Sequence, residues 1–439
     1  MSGHVHRPLR VLVVAPCEPW PLDHGGRLRL FHLLREASGH VEITLALPRP
    51  AQHASSLPPN INVVCMAPSE GQPSTTLRVQ PDSSTVGRLA RRYFGWQPSR
   101  AAWLARHARR EHFDVAVING VNWGQYVAYC HIPVVWDIAD DPVLYALRDA
   151  EHGPWLRWPV TLRHAAFCAA YERAVARRAA VTLFVSAIDA GYARRWCGDA
   201  RVAVTPNGVD FDYFRPASGL PQDGAVVFVG AFDFPPNIDG AVHFTRHVWP
   251  RVFARGQQRR LVFVGRDPVP QLRELTRLPG VELAANVPDV RPYLEQAAVV
   301  IVPTRKGGGQ KNKVLEACAM RRPVLASHRA LGGLSARPGR DLLAATRSGT
   351  WAARIEQLLT HPPYAQAIAE NGYGWVRRAH SWETAGHDWL NALASVAGVD
   401  SWATHKLQLG FAPPCKTRDA VAEPARDHAV CEPEVATCL

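Results

Sequence analysis

The chain has 439 residues, and its 50 Lys and Arg exceed its 38 Asp and Glu, so its formal net charge is +12. Apolar residues make up 47% of the chain and charged residues 20%, a balance that excludes an intrinsically disordered protein. The length favours two domains, because single hydrophobic cores stop growing at roughly 250–300 residues. The positive charge indicates an acidic partner: nucleic acid, an anionic membrane or a phosphorylated substrate.

Cysteine usage and the absence of long apolar runs indicate a cellular compartment. The nine cysteines are scattered and include no C-x-x-C pair, which predicts reduced thiols rather than a disulfide framework or a zinc site. The first ten residues are polar and basic, unlike a signal peptide. No run of about 18 uncharged apolar residues predicts a transmembrane helix. We therefore expect a cytoplasmic protein whose contact with any membrane is peripheral.

Short apolar runs alternate with amphipathic segments along the chain. The first series predicts strands at residues 9–15, 41–47, 62–65, 115–118, 133–136 and 181–185. The pattern then begins again, with strands predicted at residues 225–230, 261–265, 281–283, 299–302 and 323–326. Helices are predicted at residues 28–37, 165–178, 312–320 and 382–396. Such alternation is typical of parallel sheets covered on both faces. We expect an α/β protein with two doubly wound, Rossmann-like domains that face a central ligand-binding cleft.

Composition also predicts the domain boundaries. The turn-rich, aromatic segment 206–216 separates the two strand series and is typical of a connection between domains. We place an N-terminal domain at residues 1–208 and a C-terminal domain at residues 209–378. Residues 379–398 are expected to form a helix that returns to the N-terminal domain. Residues 399–439 lack apolar periodicity, which predicts a mostly disordered tail.

The most informative segment is residues 303–327, which read PTRKGGGQKNKVLEACAMRRPVLAS. Three glycines between the predicted strand and helix let the backbone approach a ligand closely: Gly307, Gly308 and Gly309. The helix N-terminus that follows favours anions. Four cations lie in this loop or in the first turn of the helix: Arg305, Lys306, Lys311 and Lys313. A loop of this composition suits a diphosphate.

Glu316 lies one turn further into this helix. A carboxylate repels phosphate, but its two oxygens can accept hydrogen bonds from the vicinal hydroxyls of a ribose. Together these parts predict a nucleotide-diphosphate site. The loop matches neither the Walker A motif nor G-x-G-x-x-G, which disfavours a P-loop NTPase or an NAD dehydrogenase. The alternative is a loop that only turns the chain, with Glu316 a solvated helix residue.

The segment GGGQKNKVLEACAMRRPVLAS resembles the donor-site segment of retaining glycosyltransferases of family 4, which have the GT-B fold. It is most similar to the subgroup of sugar transferases associated with PEP-CTERM and exosortase exopolysaccharide systems, whose pattern is GxGxxNKVLEAMAMxxPVVA. Further similar segments follow the family's order at residues 19–29, 184–187, 206–216, 228–239, 263–265 and 286–294. The resemblance implies transfer of a sugar from a nucleotide-diphosphate sugar to a glycan or lipid-linked acceptor. It further implies retention at the anomeric carbon and a role in exopolysaccharide or cell-surface polysaccharide biosynthesis.

The resemblance also implies site residues, position by position. Glu316 matches the carboxylate that binds the donor ribose, and the three glycines match the loop at the diphosphate. Lys311 and Lys313 match basic positions of the subgroup, and we assign them, with Arg305, to phosphate charge. The remaining donor-binding candidates are Asn286 and Val287, in a loop near the base, and Gly25, Gly26 and Arg27, in the glycine loop that faces donor phosphate or acceptor.

Two departures from the family pattern affect this site. The family has a Glu-x7-Glu pair, and Gly308 stands in the place of its first glutamate, which removes one expected sugar contact. Many relatives also have an Arg and a Lys just after the first strand of the C-terminal domain, and residues 230–245 contain neither. The phosphate charge must then be met by residues 305–313 or by Arg27.

The resemblance further implies transfer on one face of the sugar, with the leaving diphosphate taking the acceptor proton. The protein then contributes positioning and charge stabilisation, without a cofactor or a metal. We predict Lys311 and Asp137 as catalytic residues. Asp137, Asp140 and Asp141 follow a predicted strand that faces the cleft, where a carboxylate can bind acceptor or act as a base. The alternative is a helix N-cap with surface acids, which we leave open for Asp137 and favour for the other two.

Residues 89–110 are basic with interleaved aromatic residues. They can rest on anionic lipid at the inner face of the cytoplasmic membrane, or simply form solvated helix faces over core aromatics. Nucleic acid is not expected, because no nucleic-acid motif accompanies them. Competing functions are a nucleotide-sugar epimerase of the same fold, which needs carboxylates from both domains around the sugar, and a catalytically inert GT-B-like binding module.

Overall fold

The computed structural model describes residues 7–66, 79–151, 156, 158–216, 219–221, 224–256 and 258–398. These residues form two α/β domains, each with one all-parallel sheet that has helices on both faces. The expectation of an α/β protein with two doubly wound domains is therefore confirmed. The tail predicted at residues 399–439 lies outside the described residues.

The N-terminal domain has a seven-stranded parallel sheet in the order β3-β2-β1-β4-β5-β6-β7. Its strands are β1 Arg10–Val14, β2 Glu42–Leu47, β3 Ile61–Cys65, β4 Val115–Asn119, β5 Val134–Ala139, β6 Val181–Phe184 and β7 Val202–Val204. Its helices are α1 Gly25–Ala37, α2 Thr85–Phe94, α3 Pro98–Arg110, α4 Pro142–Ala150, α5 Trp158–Ala176 and α6 Ala187–Cys197.

Alternation along β1 shows why both faces of this sheet are covered. Leu12 and Val14 pack into one core cluster, whereas Val11 and Val13 pack into the cluster on the opposite face. All four side chains are fully buried. A strand that buries both faces reads as a continuous apolar run, which is the pattern of the sequence.

The C-terminal domain has a six-stranded parallel sheet in the order β10-β9-β8-β11-β12-β13. Its strands are β8 Ala225–Val229, β9 Leu261–Gly265, β10 Val281–Ala285, β11 Ala297–Val302, β12 Val324–Ser327 and β13 Leu343–Ala345. Its helices are α7 Pro235–His247, α8 Trp249–Phe253, α9 Pro270–Glu274, α10 Arg291–Glu295, α11 Asn312–Ala319, α12 His328–Leu331, α13 Ser348–Thr360 and α14 Pro362–Ala379.

A last helix, α15 Trp382–Val396, packs against α1 and buries Trp389 and Leu393 in the core of the N-terminal domain. The chain therefore passes between the domains twice, and the two passages lie side by side. The backbone N–H of Val209 donates to the carbonyl of His380 at 2.9 Å. A Cβ on Gly208 would lie 2.5 Å from the backbone nitrogen of Trp382, so the passages touch only because this residue is glycine.

The short edge strands β7 and β13 do not figure among the predicted strands. Each has three residues, and β7 has only half-buried side chains, so neither makes the apolar run by which the other strands are recognised. Among the described helices, none is long and apolar enough to cross a membrane.

Candidate functional site

Two helix N-termini approach each other between the domains. Helix α1 begins at Gly25, after β1, and helix α11 begins at Asn312, after β11. A Cβ added to Gly25 would lie 3.7 Å from Nδ2 of Asn312. Because each helix N-terminus carries a partial positive charge, this meeting point attracts an anion from both sides.

Asn207, in the connection between the domains, holds the loop before α11 in place. Its backbone N–H donates to Oε1 of Gln310 at 2.8 Å, and its Nδ2 donates to Oδ1 of Asn312 at 3.0 Å. Gln310 in turn donates from Nε2 to the carbonyl of Gly333 at 2.9 Å. The segment that forms the predicted donor loop is therefore anchored to the hinge side of the cleft.

The three loop glycines meet different requirements. Gly307 and Gly309 have φ angles of +89° and +65°, which side chains other than that of glycine adopt at a cost. Gly308 lies against Tyr145 of α4, with a hypothetical Cβ 3.8 Å from that ring. A Cβ on Gly309 would lie 2.0 Å from Oδ1 of Asp140, so this position admits no side chain while the domains are in contact.

Two of the cations expected at the diphosphate are paired with carboxylates in the structure. Arg305 makes a bidentate ion pair with Asp239 of α7, at 2.9 and 3.0 Å. Arg27 pairs with Asp23, one turn away on the chain, at 3.0 Å. Their charge is thus largely compensated before any ligand arrives.

Lys311 and Lys313 are held differently, because each ammonium group donates to an uncharged acceptor. Nζ of Lys313 donates to Oδ1 of Asn237 at 2.7 Å and lies 4.8 Å from the centre of the Phe228 ring. Burial and the charge of Lys311 lower the pKa of Lys313 to about 7. Nζ of Lys311 donates to the carbonyl of Gly308, and burial also lowers its pKa.

Glu316 is half-buried on α11, and among the described residues no group donates a hydrogen bond to its carboxylate. Burial raises the pKa of Glu316 to about 7, against the opposing effect of the Lys313 charge. A half-buried carboxylate without a donor from the protein can accept hydrogen bonds from a ligand. Two hydroxyls on adjacent carbons match its two oxygens.

The loop after β10 has a mainly local role in the structure. Asn286 has a φ angle of 51°, and its Oδ1 accepts from the backbone N–H of Asp267 at 2.8 Å. Its own N–H donates to the carbonyl of Gly265 at the end of β9. Val287 is half-buried against the core of the C-terminal domain. Both residues follow the carboxyl end of β10, next to the end of β9, and this is the edge where the sheet presents ligand sites.

The three acids at the carboxyl end of β5, Asp137 within the strand and Asp140 and Asp141 after it, have separate environments. Asp137 is 2% exposed and pairs with Arg29 of α1 at 3.2 and 3.3 Å. Asp141 caps α4 by accepting from the N–H of Leu144 at 2.8 Å, but it is fully buried rather than on the surface. Asp140 is exposed and lies against Gly309 of the opposite domain.

His24 caps α1 by accepting from the backbone N–H of Arg27 through Nδ1 at 3.4 Å. Gly26, in the first turn of α1, contacts that ring, since a Cβ there would lie 3.5 Å from it. Burial lowers the pKa of His24, so the imidazole is neutral at pH 7. This residue therefore shapes the helix end and adds no charge to the cleft.

Several residues that organise the site did not emerge from the sequence. Arg29 donates to the carbonyl of Thr205 at 2.9 Å and to Oδ1 of Asn207 at 3.0 Å, besides its pair with Asp137. Asn237 holds Lys313. The segments that contain Asn207 and Asn237 were noticed as turn-rich or family-like, but no local pattern shows which distant group their amides contact. Within the ranges that the structure describes, no group of three His, Cys, Asp or Glu side chains could hold a metal ion.

Comparison with protein families gives two matches that lie side by side. Residues 51–213 match the family model described as Glycosyltransferase Family 4. Residues 223–361 match the model described as Glycosyl transferases group 1. No curated protein sequence is significantly similar to this chain.

Solved structures with the same fold extend over nearly the whole described chain. Sucrose-phosphate synthase from Thermosynechococcus elongatus is 17% identical, with a TM-score of 0.66, and the match covers 89% of this chain and 99% of that chain. Anabaena HepE, in complex with UDP, is 15% identical, with a TM-score of 0.62 and coverages of 88% and 100%. A glycosyltransferase from Rickettsia africae is 11% identical, with a TM-score of 0.59 and coverages of 89% and 99%. The two domains therefore have the GT-B fold.

Proposed function

Because this chain consists of two glycosyltransferase domains in a GT-B fold, we propose that it transfers a sugar, with retention, from a nucleotide-diphosphate sugar to a glycan or lipid-linked acceptor. The observation that carries the proposal is that Glu316 and Lys313 lie together on the first turns of α11. Glu316 offers a carboxylate without a donor from the protein, and Lys313 a half-buried cation, beside a glycine loop at a helix N-terminus.

The donor side is argued from charge. Lys311, Lys313 and the N-termini of α1 and α11 supply positive potential for the diphosphate, since Arg305 and Arg27 are already paired. Glu316 accepts from the ribose hydroxyls. The base is proposed to be uracil, because the HepE structures of the same fold contain UDP or UDP-glucose.

The reaction we propose needs no protein nucleophile. The bond between the anomeric carbon and the diphosphate oxygen breaks as the acceptor oxygen bonds to the same face of that carbon, and the leaving phosphate takes the acceptor proton. Lys311 stabilises the negative charge that develops on the leaving group. Asp137 acts through its ion pair with Arg29, which supports the connection at Asn207 and hence the loop before α11.

Nucleotide release from a panel of UDP- and GDP-sugars tests the proposal. The wild type is expected to release nucleotide, and Glu316→Ala is expected to lose most of that activity by losing the ribose contact. The matched control is Glu282→Ala, which removes an exposed carboxylate paired with Arg260 at the opposite edge of the same sheet. Binding without release under any acceptor would favour an inert module, and a nucleotide bound to a converted sugar would favour an epimerase. The anomeric configuration of the product, read by NMR, tests retention.

A surface on α2 and α5 supports a lipid-linked acceptor. Helix α2 exposes Leu89 and Tyr93, and the first turns of α5 expose Trp158, Val160 and Leu162. The two helices are joined by stacking of Tyr93 on Phe167, with ring centres 4.9 Å apart. Apolar side chains exposed together in this way suit insertion at a lipid interface.

The charged residues of the same surface are all positive. Arg88, Arg92 and Arg163 are exposed beside these apolar side chains, and α2 and the first fourteen residues of α5 contain no acid. We therefore propose peripheral contact with an anionic membrane at its cytoplasmic face. Val160→Ser with Leu162→Ser is expected to reduce co-sedimentation with phosphatidylglycerol vesicles, whereas Leu278→Ser, an exposed apolar residue of the other domain, is not. Equal co-sedimentation of both variants with the wild type would contradict this surface.

A further inference from the structure

Asp140 lies in a different environment from its neighbours Asp137 and Asp141. Asp137 is paired with Arg29, and Asp141 caps the N-terminus of α4. Between them, Ala139 has a φ angle of 64°, an uncommon conformation for a residue with a side chain. The chain turns sharply there, with the N–H of Asp140 donating to the carbonyl of Ile138 at 3.0 Å. The turn leaves the Asp140 carboxylate against the donor loop of the opposite domain.

The surroundings of this carboxylate are polar but incomplete. Its two oxygens and its Cγ occupy the space that a Cβ on Gly309 would need, so the approach depends on the absence of a side chain there. No described residue donates a hydrogen bond to it. Desolvation by the surrounding protein raises the pKa of Asp140 to about 6, while the positive charge of Lys311 opposes that rise. An exposed acceptor is thus held where the two domains meet, with room left for a ligand.

The chemistry of the site restricts what this carboxylate can bind. A carboxylate repels a diphosphate, so it does not serve the phosphate part of the donor. A sugar ring carries hydroxyl donors, which a carboxylate accepts strongly. The loop itself offers no carboxylate to the sugar, because residues 305–311 include no acid and position 308 is glycine. A carboxylate beside the next glycine of the loop, Gly309, is supplied by Asp140 of the N-terminal domain.

We propose that Asp140 accepts hydrogen bonds from hydroxyls of the sugar ring of the donor, across the cleft, and so discriminates between sugars. This inference rests on the proposed function. It has one consequence for the cleft: the sugar contact exists only while Asp140 lies beside Gly309. A nucleotide with its sugar therefore favours the closed arrangement of the domains more than the nucleotide alone.

The competing role for Asp140 is an attraction to Lys311 that merely holds the domains together. The two roles differ in what they predict for a nucleotide without a sugar. A latch affects UDP and UDP-glucose alike, because both bind between the same two domains. A sugar contact affects only UDP-glucose, and loss of the negative charge leaves UDP binding unchanged or tighter.

The experiment measures binding of UDP, UDP-glucose and UDP-galactose by calorimetry for the wild type, Asp140→Asn and Asp140→Ala. We expect at least a tenfold loss of affinity for the preferred UDP-sugar, a smaller preference between the two sugars, and no loss for UDP. Asp199→Asn is the matched control, an exposed acid between α6 and β7 at the other end of the sheet, and should match the wild type.

Three results would overturn the assignment. Equal losses for UDP and the UDP-sugars in Asp140→Asn would show a latch. Unchanged affinities for all three ligands in Asp140→Ala would show that the carboxylate contacts nothing. If the wild type binds none of the ligands, the proposed function falls and this inference falls with it, whereas the first two results remove only the role of Asp140.

Discussion

Replacing Asp137 by asparagine is expected to destabilise the N-terminal domain, because the carboxylate is one half of a buried ion pair. Arg29 and Asp137 are each 2% exposed, so neither charge can be solvated when the other is removed. Asparagine has almost the same shape as aspartate and leaves packing intact. The variant therefore measures the loss of the charge.

The magnitude follows from the contacts of Arg29. Removing one partner of a buried ion pair costs about 3–5 kcal/mol. The asparagine amide would still offer one oxygen to the guanidinium, and Arg29 keeps two neutral acceptors, the carbonyl of Thr205 and Oδ1 of Asn207. We therefore take the lower end of that range, about 3 kcal/mol. For a domain of roughly 200 residues this lowers Tm by about 6–12 °C.

Thermal unfolding followed by tryptophan fluorescence measures the effect. Arg29→Met should be at least as destabilising, since it leaves Asp137 buried and charged, and the double variant should be less destabilised than the sum of the single ones. The control is Arg260→Met, which removes a pair that is about half exposed and should cost less than about 1 kcal/mol.

The result that would refute this reasoning is specific. If Asp137→Asn unfolds within about 2 °C of the wild type but transfers sugar at least about 100-fold more slowly, the carboxylate acts in the reaction, as a general base typically worth roughly 10²–10⁴-fold would. The ion pair would then contribute little to stability, and the prediction from the sequence that Asp137 is catalytic would stand.

Three further predictions concern charge and backbone. Affinity for UDP-glucose, measured by calorimetry, should be highest near pH 7, because the pKa values of Glu316 and Lys313 are each shifted to about 7. Below pH 7 the carboxylate of Glu316 becomes protonated, and above pH 7 the ammonium of Lys313 loses its charge. Lys313→Arg should therefore abolish the decline in affinity on the alkaline side. Burial raises the pKa of Glu172 to about 9, so the folded state retains a proton that the unfolded state releases. The free energy of unfolding should therefore fall between about pH 5 and 9, by up to about 1.4 kcal/mol per pH unit. Glu172→Gln should flatten that slope in urea titrations, and an unchanged slope would mean that other groups cause it. Gly309→Ala and Gly339→Ala each place a side chain at positive φ, so both variants should lower Tm similarly. Only the Cβ at position 309 collides with a carboxylate of the facing domain, so only Gly309→Ala should reduce sugar transfer more than about tenfold.

The regular elements of the fold followed from the sequence because their cause is local. A run such as LRVLVVA buries both faces wherever it lies in a parallel sheet, and the strand predicted at residues 9–15 is β1 Arg10–Val14. The helix predicted at residues 312–320 is α11, and that at 382–396 is α15, within one residue. The edge strand β13 is not among the strands predicted from the sequence, because three residues at the edge of a sheet are too few to show a periodic apolar pattern.

The candidate donor site was predictable as far as it is contiguous. Strand, glycine loop, helix N-terminus and Glu316 all fall within residues 303–327, so spacing alone places them together. Which residues of that segment remain available to a ligand was not predictable. Arg305 was assigned to phosphate, but Asp239, 66 residues earlier in the chain, makes the ion pair with it.

The sequence by itself determined that two parallel α/β domains exist and that one of them carries an anion-binding loop, because patterns of burial and glycine act over a few neighbouring residues. Only the tertiary structure decided which group each charged side chain contacts. Asp137 and Asp140 are three residues apart, yet one faces Arg29, 108 residues away, and the other faces Gly309 of the second domain. Electrostatic partners depend on distance in space and on desolvation, and both are set only when the sheets and domains have packed.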